Sequence, residues 1–252
     1  MKRTIKENWK YILLFTIIGA IGGYFIGIFL PDSYPAEVRQ QALEQGITAT
    51  TLGLVSAVQS AAYGLILGTL GIFLASKIGL WTKDKSITKK PLILSLAVGA
   101  FGGAAMILCD ILWFGRYSQP IMDSYAAKPS VPYMIAAVTY GAVIEEVMLR
   151  LFLMSLIAFI LYKLFARKRP NVPVGIFMIA NVICAALFAA GHLPVTSMTL
   201  GLSPIIVFRC FLLNGGIGLL FGYLYRKYGL RYAIIAHAGC HIVSKLIWIA
   251  FL

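Results

Sequence analysis

The 252-residue chain is too apolar for a soluble domain, because 60% of its residues are hydrophobic and only 12% are charged. Soluble domains usually carry about 25% charged residues. The formal net charge of +13 would suit a nucleic-acid partner. We exclude that partner because the basic residues are grouped in alternate loops, and we expect the lipid bilayer instead.

Seven apolar runs follow one another along the chain. A helix of about 20 apolar residues crosses a hydrocarbon core about 30 Å thick. The runs are Tyr11–Leu30, Thr51–Ser76, Pro91–Gly115, Val131–Tyr162, Val172–Pro194, Ile205–Tyr225 and Tyr232–Leu252. They are continuous rather than alternating with a period of two, which argues against strands. We predict an all-α, polytopic bundle of about seven transmembrane helices, forming a single domain over residues 1–252.

The loops predict the orientation of this bundle. Basic residues are concentrated at the N-terminus and in Lys77–Lys90, Lys163–Arg169 and Arg226–Arg231, which are every second connection. This is the positive-inside pattern, and it predicts a cytoplasmic N-terminus and a C-terminus on the far side. The first apolar run has no small-residue cleavage site after it, so we interpret it as a retained span rather than a secretory signal.

Six ionisable residues other than histidine lie within the predicted spans. They are Asp110, Glu145, Glu146, Arg150, Arg209 and Lys245. A charge near the bilayer centre costs roughly 2.5–3.5 kcal/mol on insertion scales, so such residues indicate function. Acids and bases are equal in number, which predicts partners that face the interior of the bundle.

The stretch GAVIEEVMLRLF combines two adjacent acids with one base. Glu146 and Arg150 are four residues apart with the acid first, which favours an ion pair on one helix face. Glu145 is rotated by about 100° and has no such partner. We predict that Glu146 and Arg150 form a structural brace, and that Glu145 takes a proton from water. A purely structural network of buried ions is the alternative.

The histidines form a second candidate group. His237 and His241 are four residues apart and share a helix face. His192 comes level with Glu146 if their two helices form a hairpin about the turn at Arg169. His237 lies only eight residues beyond Gly229, about 12 Å, which predicts a position nearer the cytoplasmic face. Two histidines on one face suit a metal site or two hydrogen-bond donors, whereas buried structural histidines are the alternative.

Three motifs together resemble those of the CPBP family of intramembrane proteases. The motifs are EEVMLR at Glu145–Arg150, FAAGH at Phe188–His192, and the segment from Leu219 to His241. That family is related to the type II CAAX prenyl endopeptidase and to bacteriocin-processing and Abi proteins. The protease core is then expected over residues 131–252. The segment departs from the family pattern at His241, where the family usually has Asn.

The resemblance implies an endopeptidase that acts within or near a prokaryotic cell membrane. It implies that Glu145 activates a water with help from His192, and that His237 and His241 stabilise the oxyanion. We favour a mechanism that requires no cofactor. Zinc held by Glu145, His192, His237 and His241 is the alternative, because a second histidine adds a possible ligand.

The expected substrate is a membrane-associated protein or peptide. A prenylated CAAX protein, a pheromone precursor and a bacteriocin precursor all fit the resemblance. Two other classes of function stay open at this point. A small secondary transporter would also bury charges among glycine-rich helices, and an inactive scaffold or immunity protein would keep the fold without the chemistry.

Overall fold

The structure is a computed structural model that describes residues 1–81 and 86–252. Nine helices are considered below, of which seven are long and apolar enough to cross a membrane. The helices are α1 (Lys2–Phe29), α2 (Ala36–Glu44), α3 (Ala49–Lys77), α4 (Lys89–Arg116), α5 (Gln119–Asp123), α6 (Val131–Phe165), α7 (Val174–Leu200), α8 (Pro204–Tyr228) and α9 (Leu230–Phe251). Helices α2 and α5 are short and lie in connections. The described residues contain no strand, which confirms the predicted all-α polytopic bundle. Part of the predicted basic segment Lys77–Lys90 lies outside the described residues.

Helix ends differ from the predicted ones where polar residues extend the helix. Helix α1 begins at Lys2 rather than Tyr11, and Arg3 donates a hydrogen bond to Glu7 one turn later at 2.8 Å. Such pairs four residues apart stabilise a helix beyond its apolar part. Residues with good helix propensity therefore carry α1 past its apolar run.

The sequence predicted that the fifth span, Val172–Pro194, ends at Pro194, and this boundary is wrong. Helix α7 runs from Val174 to Leu200 with Pro194 inside it. Proline removes one backbone donor. Proline is tolerated inside membrane helices because neighbouring groups can satisfy the freed carbonyl, so Pro194 does not require the helix to end.

Helix α6 lies at the centre of the bundle and packs against α1, α3, α7 and α9. Its buried face is made of small or apolar residues, among them Ala142, Ile144, Val147 and Leu151. Because helices surround its middle, Glu146 and Arg150 are shielded from lipid. Two π-helical segments, Ala137–Ile144 and Val147–Met154, flank Glu145 and Glu146, and π-helical turns are frequent at functional sites.

A single glycine connects α8 to α9. Gly229 has φ +108°, a backbone conformation that side chains disfavour. Its N–H donates to the carbonyls of Leu224 and Tyr225 at 3.2 and 2.9 Å, which closes the end of α8. The tight turn makes α8 and α9 antiparallel neighbours, and both reach α6 at the level of its charged residues.

Candidate active site

The two adjacent glutamates of α6 differ in their surroundings. The side chain of Glu146 is completely buried, and Nη1 of Arg150 donates to its Oε1 at 2.9 Å. Nη2 of Arg150 donates to the carbonyl of Gly218 on α8 at 2.8 Å. The guanidinium carbon lies 5.0 Å from the ring centroid of Phe188 and 5.6 Å from that of Phe221. Arg150 therefore joins α6 to α7 and α8.

Glu145 has no arginine or lysine paired with it in the described structure. Its side chain is 21% exposed, whereas that of Glu146 is 0% exposed. The ring of His237 lies beside it, with 3.9 Å between Oε2 of Glu145 and Nε2 of His237. This distance is too long for a hydrogen bond. Among the described residues, Glu145 is therefore the accessible carboxylate of the pair.

His237 links α9 to the buried glutamate. Its Nδ1 lies 2.9 Å from Oε1 of Glu146. An ionised carboxylate only accepts hydrogen bonds, so Nδ1 carries the proton. The ring is stacked between Phe221 and His241, with centroid distances of 4.6 and 4.8 Å. The sequence predicted that His237 lies nearer the cytoplasmic face than Glu146. In the structure the two side chains are nevertheless in hydrogen-bond contact.

His241 presents two different edges to its surroundings. Its Nδ1 lies 3.3 Å from Nζ of Lys245, one turn further along α9. Its Nε2 is buried and has no hydrogen-bond partner among the described residues. That edge faces Gly141 on α6, where an added Cβ would come within 2.7 Å of Nε2. The absence of a side chain at Gly141 therefore makes room for the imidazole.

His192 borders the group without joining it by a hydrogen bond. Its Nδ1 lies 2.8 Å from the carbonyl oxygen of Phe188, and a carbonyl only accepts, so Nδ1 is the donor. The ring packs edge-on against Phe188, which also packs edge-on against His237 at a centroid distance of 5.9 Å. Phe188 thus connects the histidine of α7 to the histidines of α9. Among the described residues, His192 makes no hydrogen bond to Glu145 or Glu146.

The remaining predicted charges form a separate cluster. Arg209 on α8 donates two hydrogen bonds to Asp110 on α4, and the Tyr125 hydroxyl donates to the same carboxylate at 2.6 Å. Burial, together with the charge of Asp110, raises the pKa of the Tyr125 hydroxyl well above its ordinary value. Trp248 donates to the carbonyl of Tyr125 at 3.1 Å. This cluster fastens the connection before α6 to α4, α8 and α9.

Sequence reasoning did not identify all the contacts that shape the site. Phe188, Phe221 and the carbonyl of Gly218 hold Arg150 in place, and Lys245 contacts His241. The four-residue spacing of His241 and Lys245 was a usable signal. No sequence signal could have identified the Gly218 carbonyl as an acceptor for Arg150, since every residue carries a carbonyl.

The proposed zinc ligands do not fit a metal ion as they are placed. Among residues 1–81 and 86–252, no group of three His, Cys, Asp or Glu side chains could hold a metal. In addition, the Lys245 ammonium lies 3.3 Å from a ring nitrogen of His241 and would repel a dication at that ring.

The fold and the site define a polytopic membrane protein in which helices enclose a carboxylate–histidine cluster. Residues 127–243 match the family model described as Type II CAAX prenyl endopeptidase Rce1-like. The matched region contains the whole cluster of Glu145, Glu146, Arg150 and the three histidines. The match supports a CAAX protease family assignment for this part of the chain, which confirms the resemblance.

Comparisons with curated proteins and with solved structures gave no significant match. The family match supports an intramembrane endopeptidase of the CAAX type, and it implies a membrane-associated protein substrate.

Proposed function

We propose that this protein hydrolyses a peptide bond of its membrane-associated substrate with Glu145 as the general base. The observation that carries the proposal is the difference between the two adjacent glutamates. Glu146 is buried and paired with Arg150, whereas Glu145 is partly exposed and lies 3.9 Å from His237. A carboxylate without a bound cation can take a proton from a water molecule.

The proposed reaction has two steps. In the first, the water oxygen bonds to the carbonyl carbon, one water proton passes to Glu145, and the carbonyl electron pair moves to oxygen. In the second, the carbonyl re-forms, the C–N bond breaks, and Glu145 returns the proton to the leaving nitrogen. The products are a carboxylic acid and an amine, and the carboxylate of Glu145 is regenerated.

The histidines have different parts in this proposal. Because Nδ1 of His192 donates to the Phe188 carbonyl, Nε2 of the neutral ring carries a lone pair that can accept from the attacking water. The buried Nε2 of His241 has no acceptor among the described residues, which supports a role as donor to the oxyanion. The proton on Nδ1 of His237 is bonded to Glu146. His237 can therefore donate through Nε2 only when its ring carries a second proton.

We propose that the reaction needs no metal, and His241→Asn tests this. An asparagine amide donates hydrogen bonds but binds zinc poorly compared with imidazole. We expect the variant to retain peptide cleavage, and neither it nor the parent to contain stoichiometric zinc by mass spectrometry of the metal content. If the variant lost cleavage together with a zinc ion present in the parent, a metalloprotease mechanism would replace this one.

The substrates we propose are a prenylated CAAX protein, a pheromone precursor or a bacteriocin precursor in a prokaryotic cell membrane, with the N-terminus of the protease cytoplasmic. Mass spectrometry of membrane peptides from cells with the parent or with Glu145→Gln distinguishes these substrates. We expect peptides with new termini only with the parent protein. Identical peptides in both cells would instead favour a transporter or an inactive scaffold.

A further inference from the structure

Lys245 is a buried cation whose role the family match does not cover. It is 8% exposed and lies two residues beyond the matched region. The other two bases within the spans, Arg150 and Arg209, each pair with a carboxylate, but Lys245 forms no ion pair within the described part of the chain. Its Nζ instead lies 4.4 Å from the ring centroid of Tyr133 and 3.3 Å from Nδ1 of His241. A cation–π contact of this kind offsets part of the burial of the charge.

The contact with Lys245 determines where His241 carries its proton. A lysine ammonium has three donors and no acceptor. A hydrogen bond between Nζ and Nδ1 therefore requires a lone pair on Nδ1. The neutral imidazole then has its single proton on Nε2, so Lys245 selects the tautomer with an Nε2–H donor.

The orientation of this donor is also fixed. The ring of His241 stacks on His237 with an interplanar angle of 24°, and its Nε2 lies against Gly141, four residues before Glu145. The Nε2–H has no acceptor among the described residues. The neighbouring His192 carries its proton on the opposite nitrogen, because its Nδ1 donates to a carbonyl. The site therefore combines one imidazole that donates through Nε2 with one that accepts through Nε2.

We propose that Lys245 is a positioning residue that keeps His241 in the Nε2–H tautomer and so prepares it to donate to the oxyanion. The catalytic part of this inference rests on the proposed function, whereas the tautomer itself does not. This role of Lys245 gives a reason why a histidine can occupy position 241, where the family usually has asparagine. An amide always offers an N–H, but a neutral imidazole offers one at Nε2 only in the correct tautomer.

Nitrogen NMR of the full-length protein in nanodiscs tests the tautomer directly. The chain has only three histidines, so single His→Asn variants assign the ¹⁵N signals. We expect His241 to have a protonated Nε2 and an unprotonated Nδ1, and Lys245→Met to produce a mixture of both tautomers. Lys128→Met is the matched control, because Lys128 caps the same helix at the Ile249 carbonyl and should leave the His241 signals unchanged. A protonated Nδ1 in the parent, or no change in Lys245→Met, would overturn the proposal.

A double-mutant cycle on cleavage tests the catalytic consequence. We expect Lys245→Met to lower kcat on the order of 10-fold with little change in KM, which is less than the ~10²–10³-fold loss on removing an oxyanion donor. Lys245→Arg should recover most of this loss, since arginine is also a donor without an acceptor. In the His241→Asn background, Lys245→Met should change kcat by less than about 2-fold, because the two residues act through one group.

The outcomes separate this proposal from the proposed function. Equal losses from Lys245→Met in the parent and in the His241→Asn background would contradict a role through His241. A parent protein that cleaves no peptide would contradict the proposed function, and the NMR result would still decide which tautomer Lys245 selects.

Discussion

Replacing Arg150 by Met should destabilise the protein strongly, because it leaves the carboxylate of Glu146 buried without its cation. Arg150 is 1% exposed and makes hydrogen bonds to Glu146 and to the Gly218 carbonyl. Removing one partner of a buried ion pair typically costs about 3–5 kcal/mol. At roughly 2–4 °C per kcal/mol, this corresponds to a Tm lower by roughly 6–20 °C.

The assay is thermal unfolding of purified protein in detergent, followed by helical circular dichroism. The double variant Glu146→Gln/Arg150→Met should recover most of the lost Tm, because it removes both charges and Gln still accepts from His237. Arg209→Met is the matched control, since it leaves the buried carboxylate of Asp110 without its cation and should lower Tm without lowering kcat of the folded protein. An Arg150→Met protein that melts like the parent would refute the brace.

Three further predictions concern packing, pH and orientation. Gly141→Ala should abolish most activity because its Cβ would come within 2.7 Å of the adjacent imidazole, whereas Gly216→Ala, with open space around it, should remain active; equal activities would show that the close approach does not matter. The pKa of the Tyr125 hydroxyl is higher in the folded than in the unfolded protein, so the hydroxyl ionises more easily in the unfolded state. The stability that Tyr125 contributes is therefore lost as pH rises above about 10. The parent should therefore lose more Tm between about pH 9 and about pH 11 than Tyr125→Phe does, and equal losses would contradict this. A cysteine placed at Glu44 should react with a membrane-impermeant thiol reagent outside intact cells and one at Lys168 should not, while the reverse pattern would invert the orientation.

The sequence was sufficient to predict the spans and part of the site. Apolar run length gave seven helices because each must cover the hydrocarbon core. The four-residue spacing of Glu146 and Arg150 and of His237 and His241 placed each pair on one face, and these pairs are in contact in the structure.

Other features depend on tertiary contacts that no local pattern encodes. The π-helical segments around Glu145 change the backbone hydrogen-bond register, which hydrophobicity does not report. Helix α7 continues through Pro194, although proline by itself favours a helix end. The bond from Tyr125 to Asp110 joins a loop to a distant helix, so its partner could not be predicted from sequence spacing.

The central claim is that Glu145 is the general base, and cleavage by Glu145→Gln tests it most directly. Purified parent and variant would be reconstituted in vesicles with the same farnesylated CAAX peptide, and Glu44→Gln would control for the loss of one exposed carboxylate. We expect Glu145→Gln to keep the Tm of the parent and to cleave at least ~10²–10⁴-fold more slowly, as is typical when an acid–base group is lost. Cleavage by Glu145→Gln at the rate of the parent would contradict the claim.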